Sequence, residues 1–168
     1  MSKLIALALS IAVLGGVWAF LALNPLASVA LVWVGFIAWG CYFHSGADNA
    51  ALQKTIAGMI FGAVMAGIAL YLVSSGMLGG LGALAAPVII AVTVFPLVAV
   101  AGMNLLSVVP ANVYGYAATA GLALTANTAG NATAMDLSNP VVLVAISTVL
   151  GAVFGMVSNK GAAALGGK

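Results

Sequence analysis

One cysteine, one histidine and two carboxylates are the strongest chemistry in this 168-residue sequence. Three of them, Cys41, His44 and Asp48, fall within CYFHSGAD; Asp136 stands far from them. A thiolate, an imidazole and a carboxylate at that spacing could gather a transition metal at a helix end. Three mixed ligands without a second cluster do not complete a site. The same residues read more simply as a membrane helix ending in interfacial Tyr42, Phe43 and His44 before a polar turn. General acid–base catalysis needs two groups within reach of one reacting bond. Asp48 and Asp136 fall in loops on opposite sides of a six-span topology, and His44 has only Ser45 and Asp48 beside it. The expectation is a protein that is not an enzyme, with no metal and no cofactor.

A second group of residues is neutral. SVVPANVYGYAATAG, residues 107–121, concentrates hydrogen-bonding side chains in very apolar company. Read as a helix, Asn112, Tyr116 and Thr119 stand at i, i+4 and i+7 and share one face. Ser107 is placed to cap its first turn, and Pro110 tolerates that turn. Such a face serves a membrane protein in one of two ways. It lines a path in which dipoles replace the hydration a neutral solute loses, or it bonds to neighbouring helices as packing glue. Tyr114 and Tyr116 would instead be interfacial anchors if the helix sits shallow.

The composition dictates the membrane. Of all residues 65% are hydrophobic and 4% charged, where a soluble domain carries roughly 25% charged residues. A helical span needs about 20 residues to cross roughly 30 Å of hydrocarbon, so the length allows about six spans in a single transmembrane domain, 1–168. The net charge of +2 by itself says nothing about nucleic acid, but there is no arginine and no basic patch, so no nucleic-acid partner is expected. Cys41 alone can form no intrachain disulfide.

Hydropathy and turn residues predict helices near 4–23, 25–43, 54–73, 83–103, 110–124 and 140–159. The first apolar run, to Leu23, is too long for a signal-peptide core and reads as a span. Asn24-Pro25 is expected to turn directly into the second helix. GGLG at 79–82 is a flexible lead-in, and TANTAGNATAMDLSNP is the longest polar loop. With six crossings, Lys3, Lys54, Lys160 and Lys168 all fall on one side, which the positive-inside rule makes cytoplasmic together with both termini. No ionisable group falls in the interior of a span, which argues against proton coupling.

Shifting the chain by 80 residues places Asn24 on Asn104, Leu26 on Leu106, Val29 on Val109, Gly35 on Gly115 and Ala38 on Ala118. FGAVMAG at 61–67 matches LGAVFGM at 150–156. Each half, 1–75 and 81–160, holds three spans. The halves would therefore form a 3+3 inverted repeat, an arrangement that recurs in channels and transporters. Gly58 and Gly62, and Gly151 and Gly155, have the spacing that lets helix backbones approach closely.

Three stretches together, WVGFIAWGCYFHSG (33–46), VPANVYGYAATAG (109–121) and LGAVFGMVSNKG (150–161), resemble the bacterial inner-membrane family DUF1097 in order and spacing over nearly the whole chain. The resemblance implies a small multi-pass inner-membrane protein. It brings no established activity and no assigned site residues, and His44 and Asp48 in HSGADNAALQ depart from what that family leads one to expect.

The leading expectation is an all-α, polytopic membrane protein acting as a passive channel or facilitator for a small, mostly uncharged solute. Its lining would be Asn112, Tyr116, Thr119 and Ser107, with Asn24 and Asn104 as repeat-related partners at the turns. Its partners would be the bilayer and further copies of itself. A non-transporting assembly or regulatory subunit is the alternative, and a proton-coupled transporter comes third.

Overall fold

The computed structural model describes residues 1–166; Lys168, the fourth of the lysines used to orient the chain, lies outside them. The order is α1 (Lys3–Leu23), α2 (Val32–His44), α3 (Asn49–Ser74), α4 (Ala85–Ala99), α5 (Val109–Thr125) and α6 (Pro140–Leu165). Short 3₁₀ turns at 79–84, 100–102, 104–106 and 129–133 join them. Among the described residues there is no strand.

Four stretches are long and apolar enough to cross a membrane: Lys3–Leu23, Asn49–Ser74, Gly79–Gly102 and Pro140–Leu165. They make the chain compatible with a multi-pass membrane protein. The helix starts follow local chemistry. Ser2 Oγ accepts from the Ile5 N–H, and the Asp48 carboxylate accepts from the Ala51 N–H at 2.6 Å. Asn139 Oδ1 accepts from the Val141 N–H at 2.8 Å, ahead of a helix that opens on Pro140. In each case a side-chain oxygen takes up an N–H that the first helical turn leaves free.

The second helix departs from expectation. It begins at Val32, seven residues beyond Pro25, and is 13 residues long. At 1.5 Å per residue it rises about 20 Å, short of a full crossing. Residues 24–29 form turns, and the chain beyond them is held from outside the helix. Ser147 Oγ on α6 accepts from the Leu31 N–H at 2.8 Å, and Trp18 Nε1 on α1 donates to the Val32 carbonyl at 3.0 Å. Leu31 is extended, at φ −108° and ψ 115°. The fourth helix also ends early, at Ala99 rather than 103, just beyond Pro96.

Backbones meet at two crossings. At one, α3 lies on α5: a Cβ on Gly62 would strike the Asn112 carbonyl oxygen, and one on Gly115 would strike the Met59 carbonyl oxygen. At the other, α6 lies on α2: a Cβ on Gly151 would strike the Gly35 carbonyl oxygen, while Gly155 sits against Trp39 and Tyr42. Only residues without side chains permit such approaches. Val34, Ala38, Met59, Ala63, Ala111, Ala118, Val144 and Ala152 fill the core between these four helices. A second cluster around Trp18 and Trp39 joins α1 to α2 and α6.

Candidate functional site

Asn112 starts one turn into α5 and is fully buried. Its Nδ2 donates to the Leu97 carbonyl at 2.8 Å and to the Leu106 carbonyl at 3.1 Å. The break in α4 makes these acceptors available. A regular helix would continue past Leu97 and use its carbonyl; instead α4 stops at Ala99, Val100–Gly102 tightens into a 3₁₀ turn, and Met103 is extended. The amide nitrogen therefore does what the helix-bonding alternative expects of it. The oxygen does not: Asn112 Oδ1 is buried with no hydrogen-bond partner. It lies beside Gly58, where an added Cβ would come within 2.7 Å of it.

Thr119, two turns further along the same face, is also fully buried, and its hydroxyl has no partner. Tyr116 is half-buried, and its hydroxyl lies 2.9 Å from Thr93 Oγ1 on α4. Thr93 gives its own proton to the Ile89 carbonyl at 2.8 Å, so Tyr116 is the donor in that pair. The remaining three predicted residues are at the turns. Asn24, exposed, donates to the Phe20 carbonyl at 2.8 Å, and Asn104 is exposed. Ser107 Oγ donates to the Asn104 carbonyl at 2.8 Å, so it does not cap α5; Val108 holds the N-cap position without a side-chain bond. The extra turn at 104–106 draws Ser107 backwards, away from the helix.

Thr148 on α6 has no counterpart in the sequence reading. It is fully buried and its hydroxyl is likewise unpartnered. The signal was available only as a polar residue in an apolar helix, which Ser147 beside it shares. Thr93, Thr125, Ser45 and Ser147 each donate to the carbonyl four residues back. That is the usual resolution for a hydroxyl on a helix. Thr119 and Thr148 do not take it.

The ionisable residues are elsewhere. Every buried polar residue among those described is uncharged: Ser10, Thr55, Thr93, Asn112, Thr119, Asn139, Ser147, Thr148 and Ser158. The Asp48 carboxylate is engaged at the start of α3, and Thr55 donates to Cys41 Sγ at 3.6 Å. The Ser138 side chain, and then its N–H, which donates to Asp136 at 2.8 Å in the last loop, hold the Asp136 carboxyl below the usual carboxylate range.

A groove of about 460 Å³ runs between α2 and α5. Trp33, Phe36, Gly40 and His44 line it from α2, and Tyr114, Ala117 and Gly121 from α5. Helical spacing puts those α5 residues on the side opposite Asn112 and Thr119.

No curated protein and no solved structure matches the chain. The family model described as "Protein of unknown function (DUF1097)" matches residues 8–163, nearly its full length. The three glycine- and aromatic-rich stretches of the sequence all lie inside that match, and the chain belongs to the DUF1097 family.

Proposed function

We propose that the protein is a passive facilitator for a small, mostly uncharged solute, with Asn112 and Thr119 on its route. One observation carries this reading. Among the described residues the buried polar groups are all neutral, and two of those on the α5 face keep an oxygen unpartnered. Orphaned buried polar atoms are rare in native structures and call for a reason. A solute or water that enters and bonds to them supplies one.

The same proposal places the chain in the bacterial inner membrane with six crossings, cytoplasmic termini and more than one copy per assembly. It takes the two halves as an inverted repeat. Exchange of neighbours supports the repeat: α3 packs on α5 as α6 packs on α2, and α4 packs on α3 as α1 packs on α6. Gly62 and Gly151, paired by the sequence alignment of the halves, each meet the backbone of the partner helix.

The test is stopped-flow uptake into proteoliposomes with small amides, polyols and ammonia. Flux above empty liposomes is expected for at least one of them. No facilitated flux for any would overturn the proposal. The groove between α2 and α5 favours a second reading, in which its exposed aromatic rim seats a helix of a larger membrane protein and this chain transports nothing. Reproducible capture of one such protein, combined with absent flux, would favour it.

A further inference from the structure

Asn112 offers its surroundings an acceptor and nothing else. A carboxamide has two N–H donors and an oxygen with two lone pairs. Both donors are engaged, by the carbonyls of Leu97 and Leu106. Exchanging oxygen and nitrogen would set an oxygen against two carbonyl oxygens, so these partners fix the orientation. What is left is Oδ1, buried, unpartnered and beside Gly58. The Gly58 position matters because any side chain there would cover the oxygen. The hydroxyls of Thr119 and Thr148 are free to accept or to donate, so they do not discriminate.

Resting on the passive-route reading, we infer that the route selects hydrogen-bond donors, and that Thr148 of α6 lines it together with Asn112 and Thr119. Its solutes are small neutral molecules bearing N–H or O–H groups. A donor group leaving water loses its hydrogen bonds, and that loss is costly unless the route returns them. Asn112 returns a bond to a donor. To a molecule that only accepts, it presents oxygen against oxygen. Sites built around one hydrogen-bonding polarity reject analogues that lack the matching group far better than apolar sites reject analogues of the wrong size.

The experiment uses the full chain, purified and reconstituted, with no variant in its main arm. Acetamide and urea carry donor protons; dimethyl sulfoxide, also small and neutral, accepts only. Stopped-flow rates are taken for each, with empty liposomes subtracted. Acetamide or urea should be facilitated, and dimethyl sulfoxide should fall about tenfold or more below them. Equal facilitation of dimethyl sulfoxide overturns the donor rule while leaving the route in place. Absence of facilitation for these, for polyols and for ammonia overturns the route itself. The second arm is Thr148→Val, nearly isosteric. Acetamide flux per folded molecule should fall about threefold, the size of one lost hydrogen bond, with the melting temperature held. Unchanged flux removes Thr148 from the lining.

Discussion

Two asparagines in this molecule begin with the same task and end differently. Asn139, ahead of α6, donates through Nδ2 to the carbonyls of Ala132 and Ala134, at 3.1 and 2.7 Å. Asn112, at the start of α5, donates through Nδ2 to the carbonyls of Leu97 and Leu106. Each amide gathers an irregular segment onto a helix start. Asn139 then closes its account: Oδ1 accepts from the Val141 N–H, and no polar atom is left over. Asn112 sits inside its helix rather than ahead of it. The N–H groups near it are already committed to the helix, and its oxygen is turned to Gly58 instead. The difference teaches that one residue type in one local role is purely structural at the loop and retains a spare acceptor in the core.

The largest effect should come from the backbone contact that supports Asn112. Gly62→Ala drives a Cβ into the Asn112 carbonyl. Overpacking of this kind costs about 3 kcal/mol or more where backbone cannot yield. The reading is the fraction of folded protein in detergent after heating, and a variant as stable as the parent would show that the α3–α5 crossing is looser than described.

Asn112→Leu comes next. It strands two carbonyls and should lower stability by about 2–3 kcal/mol, visible as a fall in melting temperature. The two nitrogen bonds, to the Leu97 and Leu106 carbonyls, are the reason for an effect of this size. Flux per folded molecule separates the oxygen's role from the nitrogen's.

Asn139→Ala should be milder, about 1–2 kcal/mol, because the freed carbonyls and the Val141 N–H lie at a loop where water can replace the amide. Limited proteolysis within 126–138 should accelerate. A loss as great as that of Asn112→Leu would erase the contrast between core and loop.

The smallest effect belongs to the unpartnered hydroxyl. Thr119→Val removes no bond and should change stability by less than about 0.5 kcal/mol or raise it slightly. Thr93→Val, by contrast, removes the acceptor of Tyr116 and should cost about 1 kcal/mol. Equal melting temperatures for the two would mean that the Thr93–Tyr116 bond contributes nothing between α4 and α5.

Much of the fold was legible because membrane helices announce themselves by apolar length. The helices predicted near 4–23, 110–124 and 140–159 appear as α1, α5 and α6, with α6 continuing to Leu165. Asn112 and Thr119 were legible as one face because helical spacing alone puts them together. Ser107 was misread as a cap because a cap depends on where the helix starts, and that was set by the 3₁₀ turn at 104–106. Thr148 was invisible as a distinct residue, since nothing local separates it from Ser147, which donates to the Leu143 carbonyl.

By itself the sequence determined that the chain is helical, apolar and poor in charge, because composition and period are properties of the chain alone. It also placed the polar face on α5. Only the tertiary structure decided that α2 begins at Val32, since the groups holding Leu31 and Val32 come from α6 and α1. Only the tertiary structure decided which glycine meets which backbone, and that Asn112 engages its nitrogen while its oxygen stays free. These are long-range outcomes: a hydrogen bond or a close approach needs a partner in space, and no local spacing names that partner.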